Sequence, residues 1–434
     1  MASPYRIAVL GLWHLGEVYS VGLSELGHTV IGIASDEQLI GNFKKKIPPL
    51  PEPQLEALLQ KHQSTGQLSY TTDWSEVAKA NVVWIAFDVD VNDADDVDLA
   101  PLWQALEKSI PHLAPGAVLA VSSQIPAGTS GEIINRIKAL RPDLVFDFFY
   151  SPENLRLGNA IEGFMNPGRI VVGADTSQAL THAQNIFAPL KAQIISMKIA
   201  SAEMTKHALN AWLATSISFT NDLADACESV GADVEDVIKA LKAEPRIGPK
   251  AYLFAGLGFS GGTLGRDLKA LIALAKKSNL NLPMIVGAYE KNRTRASVVK
   301  NRLLKEWGSL KEKRIAIFGI TYKPGTPTLR RSQPLEIEFE LRDSGADIRL
   351  YDPLALAEEV APKTPSLLFK DPYEAAQDSE LVLVLSPDPK FQELDFKKLA
   401  AAMKTPVLFD AQNILVSKEA EIRSAGIKYL SIGR

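Results

Sequence analysis

The sequence predicts an α/β protein with two doubly wound Rossmann-like domains joined by a long central helix and a helical middle domain. Three observations predict it. Short apolar runs alternate with helix-spaced segments up to about residue 198. A proline-free stretch, Ala200 to Val230, then carries Ala, Leu, Ile and Phe at helical spacing with no strand signal. Alternation restarts at Arg314. Strands alternating with helical segments specify βαβ units and a parallel sheet with crossover helices.

Arg6 to Leu10 is a short apolar run ending at Gly11, the pattern of a buried parallel strand. Helical spacing follows from Leu15 to Leu26 and stops at Gly27-His28. Thr29 to Ala34, Asn81 to Phe87, Ala117 to Ser122, Leu144 to Phe149 and Arg169 to Val172 supply further strands. Pro48 to Pro53 is a stiff loop, and Lys44-Lys45-Lys46 reads as a solvated helix face. The long helix ends at Gly231, and helical segments continue to about residue 300. Arg314 to Phe318 runs into Gly319 much as the first strand runs into Gly11; Asp347 to Tyr351, Leu381 to Leu385 and Val407 to Asp410 follow. The boundaries are 1–197, 198–300 and 301–434.

A chain of 434 residues exceeds a single domain of about 150. Hydrophobic residues make up 46% and charged residues 23%, enough for globular cores. A formal net charge of −4 argues against a nucleic-acid partner. The single cysteine, Cys227, lies among small apolar residues and reads as core; it rules out an internal disulfide framework and a cysteine metal site. The six histidines show no ligand-like pairing, so no metal is predicted. No apolar run reaches the roughly 18 residues of a membrane span, and the N-terminus lacks a secretory pattern, so a cytoplasmic protein with no membrane partner is expected.

Gly11-Leu12-Trp13-His14-Leu15-Gly16 follows a strand and opens a helix, the setting of a dinucleotide fingerprint. Gly11 permits the tight turn and Gly16 close helix packing, but Trp13 stands where the middle glycine meets the pyrophosphate. The acid usual after the second strand is missing: Ala34 stands there, followed by Ser35 and Asp36. NAD is the expected cofactor. Loss of the acid also removes the usual repulsion of a 2′-phosphate and admits NADP, although no arginine follows Ala34.

The remaining motifs are Glu52-Pro53, Ser123-Gln124-Ile125-Pro126-Ala127-Gly128-Thr129, Ser151-Pro152-Glu153-Asn154-Leu155-Arg156 and Pro167 to Gly173. They continue with Ala202 to Ala211, Ile217 to Asn221, Arg246-Ile247-Gly248, Gly258 to Asp267 and Tyr322-Lys323-Pro324-Gly325-Thr326. In that order, over essentially the whole chain, the sequence resembles the UDP-glucose/GDP-mannose dehydrogenase family, the nucleotide-sugar dehydrogenases. The resemblance implies an N-terminal cofactor domain, a central helical domain used in homodimerisation, and a C-terminal domain that binds the nucleotide sugar, most readily a UDP-sugar. It also implies oxidation of a sugar C6 alcohol to a carboxylate with two NAD.

Carried over by motif, the family's catalytic glutamate, lysine, asparagine, cysteine and aspartate become Glu153, Lys206, Asn210, Thr263 and Asp267. Lys206 and Asn210 lie one helical turn apart on one face, suited to holding a developing alkoxide and an ordered water. Asp267 pairs with Lys206 as a general-base relay in this reading, or caps a helix beginning at Leu268. Glu153 is the acid/base of the later aldehyde chemistry, or a surface carboxylate. Gly11, Trp13, Gly16, Ser35, Ser123 and Arg330 are assigned to the cofactor. Asn154, Leu155, Arg156, Arg246, Tyr252, Gly258, Arg266 and Lys323 are assigned to the substrate, with Arg246 reaching the neighbouring subunit. The family's late arginine position reads Gln412 here.

Thr263 is the decisive departure. A thiol, with a pKa near 8.5, yields a thiolate nucleophile; a threonine hydroxyl needs a dedicated base. The expected activity is therefore an NAD(P)-dependent oxidation of a nucleotide-sugar CH–OH group with a single hydride transfer. Two alternatives stay open: a redox-neutral nucleotide-sugar epimerase with retained NAD, and a catalytically silent nucleotide-sugar-binding protein.

Overall fold

The computed structural model describes residues 3–89, 97–153, 155–260 and 262–434. The chain folds as two compact units, Met1–Leu209 and Asn210–Arg434.

The first unit is built on an eight-stranded sheet: β1 Arg6–Leu10, β2 Thr29–Ile33, β3 Leu68–Thr71, β4 Val82–Ile85, β5 Val118–Val121, β6 Asp147–Tyr150, β7 Ile170–Ala174 and β8 Ile194–Met197. The order is β3-β2-β1-β4-β5-β6-β7-β8. β1 pairs in parallel with both β2 and β4, in registers Leu10 to Ile33 and Leu10 to Ile85. The strand order therefore reverses at β1, and the crevice at its carboxyl end is where ligands bind in open α/β sheets. Every residue of β4 and β5 is buried, as expected of central strands covered on both faces. One apolar cluster centres on Val9, Trp84 and Phe149, and a second holds Leu10, Ile85 and Tyr150. Alternate residues of the same strands thus feed opposite layers.

One expectation is corrected here. The sheet is not wholly parallel, because β6 and β7 run antiparallel. Among the described residues the only helix between them, Ala160–Met165, is short and packs on the His14–Glu25 helix, where a Cβ on Gly22 would meet the Phe164 ring at 2.4 Å. The chain turns back there without a crossover.

The second unit opens with the remainder of the Ile199–Val230 helix, followed by helices Val234–Ala243, Thr263–Lys277 and Pro283–Trp307. Its six-stranded sheet holds β9 Arg314–Phe318, β10 Asp347–Tyr351, β11 Leu367–Phe369, β12 Leu381–Val384, β13 Val407–Asp410 and β14 Lys428–Ser431, in the order β11-β10-β9-β12-β13-β14. Every pairing is parallel. The same order reversal recurs at β9, and Gly319 leaves it at φ +87°, as Gly11 leaves β1 at φ +90°.

Two further corrections concern helix ends. The Glu37–Lys44 helix stops at Lys44 and Lys46 has φ +65°, so Lys44-Lys45-Lys46 is a helix C-terminus, where cations complement the dipole, and not a helix face. The helix that follows the glycine-rich turn begins at Thr263 with Gly262 as its cap, so Asp267 lies in its second turn and is not an N-cap.

Candidate functional site

In the first unit, the turn after β1 is shaped by what a side chain would strike. A Cβ on Gly16 would lie 1.5 Å from the Gly11 carbonyl oxygen, and one on Gly11 would meet the Phe87 ring at 2.8 Å. Only glycine lets the His14–Glu25 helix start this close to the strand end, as the fingerprint requires. Trp13 occupies the cap position and is half exposed. The Leu15 amide donates to the Asp88 carboxylate at 2.8 Å. A cavity of about 280 Å³ opens here, lined by Gly11, Trp13, Ala34, Ser35, Asp88 and Lys108 among others. Its size is just below that of whole-ligand pockets, which span about 300–1,000 Å³, and suits one end of a dinucleotide. The turn and the cavity fit NAD. Ser123, also assigned to the cofactor, is buried; its hydroxyl accepts from the Phe87 amide at 2.7 Å and so braces the end of β4.

Two residues that the motifs contained but whose work was illegible in sequence organise this region. Glu52 is buried and accepts from the amides of Gly158 and Ala160 at 2.7 and 3.1 Å, and it bonds His14 at 2.8 Å. It thereby ties the glycine turn to the 155–160 loop. Glu203 is buried on the long helix and accepts from the amides of Gly128 and Ser130 at 2.7 and 2.8 Å. The Thr129–Leu140 helix has no side-chain cap of its own, so Glu203 satisfies its first amides and fixes the start of the long helix.

Lys206 follows Glu203 by three residues and is buried. Its Nζ donates to the Glu153 carbonyl at 2.8 Å and to Glu153 Oε1 at 3.1 Å, while Oε2 accepts from the Leu155 amide at 2.7 Å. Glu153 is thus a partly covered, paired carboxylate and not a free surface group. Asn154 lies outside the described residues. Arg156 is exposed.

In the second unit, Asn210 is buried and donates through Nδ2 to Oδ2 of Asp267, itself fully buried. Thr263 precedes Asp267 by four residues on the same helix, so both lie on one side of it. Thr263 is exposed at the first helical position, and its hydroxyl makes no hydrogen bond among the described residues. Gly258 has φ +92°, and a Cβ there would lie 2.2 Å from Asn292 Oδ1. Asn292 also brackets Phe259, accepting from its amide at 2.8 Å and donating to its carbonyl at 2.9 Å.

Arg246 is exposed and pairs with Glu244 at 2.7 Å, holding that carboxyl below its usual range. Tyr252 is exposed, with its ring edge-on to Phe254. Arg266 is half-buried, Lys323 lies over the Tyr322 ring, and Arg330 is exposed. Gln412 donates to the Leu385 carbonyl at 2.8 Å, bracing the end of β12. Cys227 is buried, as its surroundings predict.

No helix among the described residues is long and apolar enough to cross a membrane. Three family models match in sequence order: the NAD binding domain of the UDP-glucose/GDP-mannose dehydrogenase family over residues 5–191, its central domain over 200–294 and its UDP binding domain over 316–417. The chain is 33% identical to the UDP-glucose 6-dehydrogenase TuaD of Bacillus subtilis, covering 99% of this chain and 93% of that enzyme. It is 31% identical to the UDP-glucose 6-dehydrogenase of Rickettsia bellii, covering 99% of each. Its fold is similar to that of a UDP-glucose dehydrogenase from Pyrobaculum islandicum, with a TM-score of 0.88 and 27% identity over 99% of this chain and 97% of that one.

Proposed function

The chain belongs to the UDP-glucose/GDP-mannose dehydrogenase family, an NAD-dependent oxidoreductase family, and from that premise we propose that it oxidises one CH–OH group of a UDP-sugar to the carbonyl and stops there. The observation that carries this reading is Thr263. It stands where the resemblance calls for a cysteine, exposed at a helix start, with no base hydrogen-bonded to its hydroxyl among the described residues. Such an alcohol is a poor nucleophile.

The other residues support a working oxidation over a silent binding protein. Lys206 is buried with its ammonium fixed by Glu153, and it supplies a positive charge for the alkoxide that forms as the alcohol loses its proton. By motif Asp267 is assigned as the acceptor of that proton, and Asn210 holds its carboxyl in place. When bound, NAD takes up the electron pair from the carbon. Gly11, Trp13, Gly16, Ser35 and Ser123 are the residues proposed to hold it, with Arg330 assigned by motif.

We carry forward the division into a cofactor domain at 1–197, a dimerisation domain at 198–300 and a UDP-binding domain at 301–434. On the long helix Trp212 and Phe219 are exposed at a seven-residue spacing, an apolar stripe on one face. A second copy of the chain is the proposed occupant of that stripe, and light scattering on the purified protein tests it. A cytoplasmic site of action accords with this chemistry.

The deciding experiment incubates the protein with excess NAD and limiting UDP-glucose, then counts reduced cofactors per sugar consumed. One is expected, with an aldehyde product; two, with a uronic acid, overturns the reading.

A further inference from the structure

We propose that the adenosine end of the cofactor cavity recognises a 2′-phosphate, so that this chain takes NADP as well as NAD, with Lys108 and Ser35 holding the phosphate. The proposal rests on the reading of the Gly11–Gly16 turn as a dinucleotide site. In a doubly wound domain the residue after the second strand faces the adenosine ribose; an acid there accepts from the ribose hydroxyls and repels a 2′-phosphate, while a nearby cation attracts one.

Here β2 ends at Ile33, and Ala34 and Ser35 follow it into the cavity wall. Ala34 offers neither the acceptor nor the repulsion. The cation comes from another element. Lys108, near the end of the Ala100–Ser109 helix, lines the same cavity, and its Nζ donates to Ser35 Oγ at 2.8 Å. An ammonium and a hydroxyl therefore meet in the wall of the cavity that Ala34 also lines. Among the described residues the polar partner of the Lys108 ammonium is the Ser35 hydroxyl. The ammonium also sits 5.6 Å from the centroid of Trp74, which holds the side chain over the cavity.

The cavity also holds two carboxylates, and both face backbone amides. Asp36 caps the Glu37–Lys44 helix, accepting from the Leu39 amide at 2.9 Å. Asp88 accepts from the Leu15 amide at the start of the His14–Glu25 helix. Each lies at a helix N-terminus, where the dipole offsets negative charge. Lysine binds phosphate as a point charge and does not need the fork of an arginine. The separation of 73 positions between Ser35 and Lys108 explains why no basic group is visible beside Ala34 in the sequence.

The test titrates the full chain with 2′,5′-ADP and with 5′-AMP, which differ only in the 2′-phosphate. The expected result is binding of 2′,5′-ADP about tenfold tighter, one strong charge-assisted contact, with the difference shrinking as salt is raised. Lys108→Ala should abolish the preference and Ala34→Asp should reverse it, with circular dichroism confirming that both variants fold. Equal or tighter binding of 5′-AMP by the unaltered protein overturns the proposal. So does a 2′,5′-ADP preference that survives Lys108→Ala. If neither nucleotide nor NADH binds, the dinucleotide reading of the turn falls and takes the proposal with it. Loss of sugar oxidation with nucleotide binding intact bears on the proposed reaction alone.

Discussion

Lys206 donates to Glu153 twice, to its carbonyl at 2.8 Å and to its carboxylate at 3.1 Å, across 53 residues of sequence. The lysine comes from the long helix, whose start is fixed by Glu203, and the glutamate from the loop after β6, whose second carboxylate oxygen is held by the Leu155 amide. Neither group is free to rotate, so the ammonium is pre-oriented.

Replacing Lys206 with Met keeps the buried stem and removes the charge. The turnover number is expected to fall roughly 10²–10⁴-fold, the range for loss of a positioned acid–base or electrostatic group. KM for the sugar nucleotide should move far less. Lys206→Arg should rescue little, because a planar fork does not reproduce the two contacts of Nζ. Steady-state kinetics on both variants check this.

Asn210→Ala should destabilise the second unit. It removes the Nδ2 donor from a fully buried carboxylate, and hydrogen bonds to charged groups contribute about 1.5–3 kcal/mol. Urea unfolding measures the loss, and turnover should fall with it because Asp267 is then less fixed. Asn210→Gln, which keeps the amide on a longer stem, should recover only part of either.

Gly16→Ala tests the cofactor turn. The added methyl would lie 1.5 Å from the Gly11 carbonyl oxygen, so the helix start must move. Overpacking of this kind costs about 1–3 kcal/mol, and the displaced first turn should weaken NADH binding, read by fluorescence titration. Gly41→Ala, where a Cβ meets nothing within 4 Å, is the control and should bind normally.

The architecture was legible where strands are buried on both faces. Arg6–Leu10 and Val407–Asp410 match their apolar runs end to end, Asp347–Tyr351 matches although its burial is mixed, and the long helix matches to within one residue. The strands the sequence hides, β3, β8, β11 and β14, are short and at sheet edges or next to them, with mixed burial that leaves no continuous apolar run. The strand at Ile170–Ala174 was legible as a strand but its direction was not, since direction depends on how the short Ala160–Met165 helix packs and not on local pattern. At the site, Lys206, Asn210 and Asp267 were found by motif, but composition gave no hint that all three are buried. Lys108 was missed because its partner Ser35 is distant in sequence, and Glu17 because nothing local marks a glutamate whose helix face turns inward.

Glu17 yields a pH prediction. It is fully buried on the His14–Glu25 helix, and the only favourable contact to its carboxyl among the described residues is a weak one from the Leu50 backbone. Burial first, then the nearby charges of Asp88 and Glu52, push its pKa up to about 9 from an ordinary 4.5. Between those values the native state binds more protons than the unfolded chain, so this group makes stability fall as pH rises from about 4.5 towards 9. Glu17→Gln should remove that slope and leave the protein more stable than the unaltered chain at pH 8, with little difference at pH 4.5. Comparing the two in urea at both pH values isolates Glu17 from Asp410 and Glu336, also raised by burial, and from Glu25 and Glu380, lowered by their cation partners.

Thr263→Cys should add what the proposed reaction lacks. The position is exposed and is the first of its helix, and the cap residue Gly262 supplies no side chain to the helix amides. Unsatisfied amides at a helix N-terminus carry partial positive charge, which favours a thiolate over a thiol. A thiolate there can add to the aldehyde carbon, and oxidation of that adduct followed by attack of water releases a carboxylate and regenerates the cysteine. The variant should therefore reduce two cofactors per sugar where the unaltered chain reduces one. Iodoacetamide should return it to one, since alkylation blocks the sulfur and leaves Lys206 and Asp267 intact. A variant that alkylates readily and oxidises the alcohol normally, yet still stops at one, would show that residue 263 does not set the stopping point.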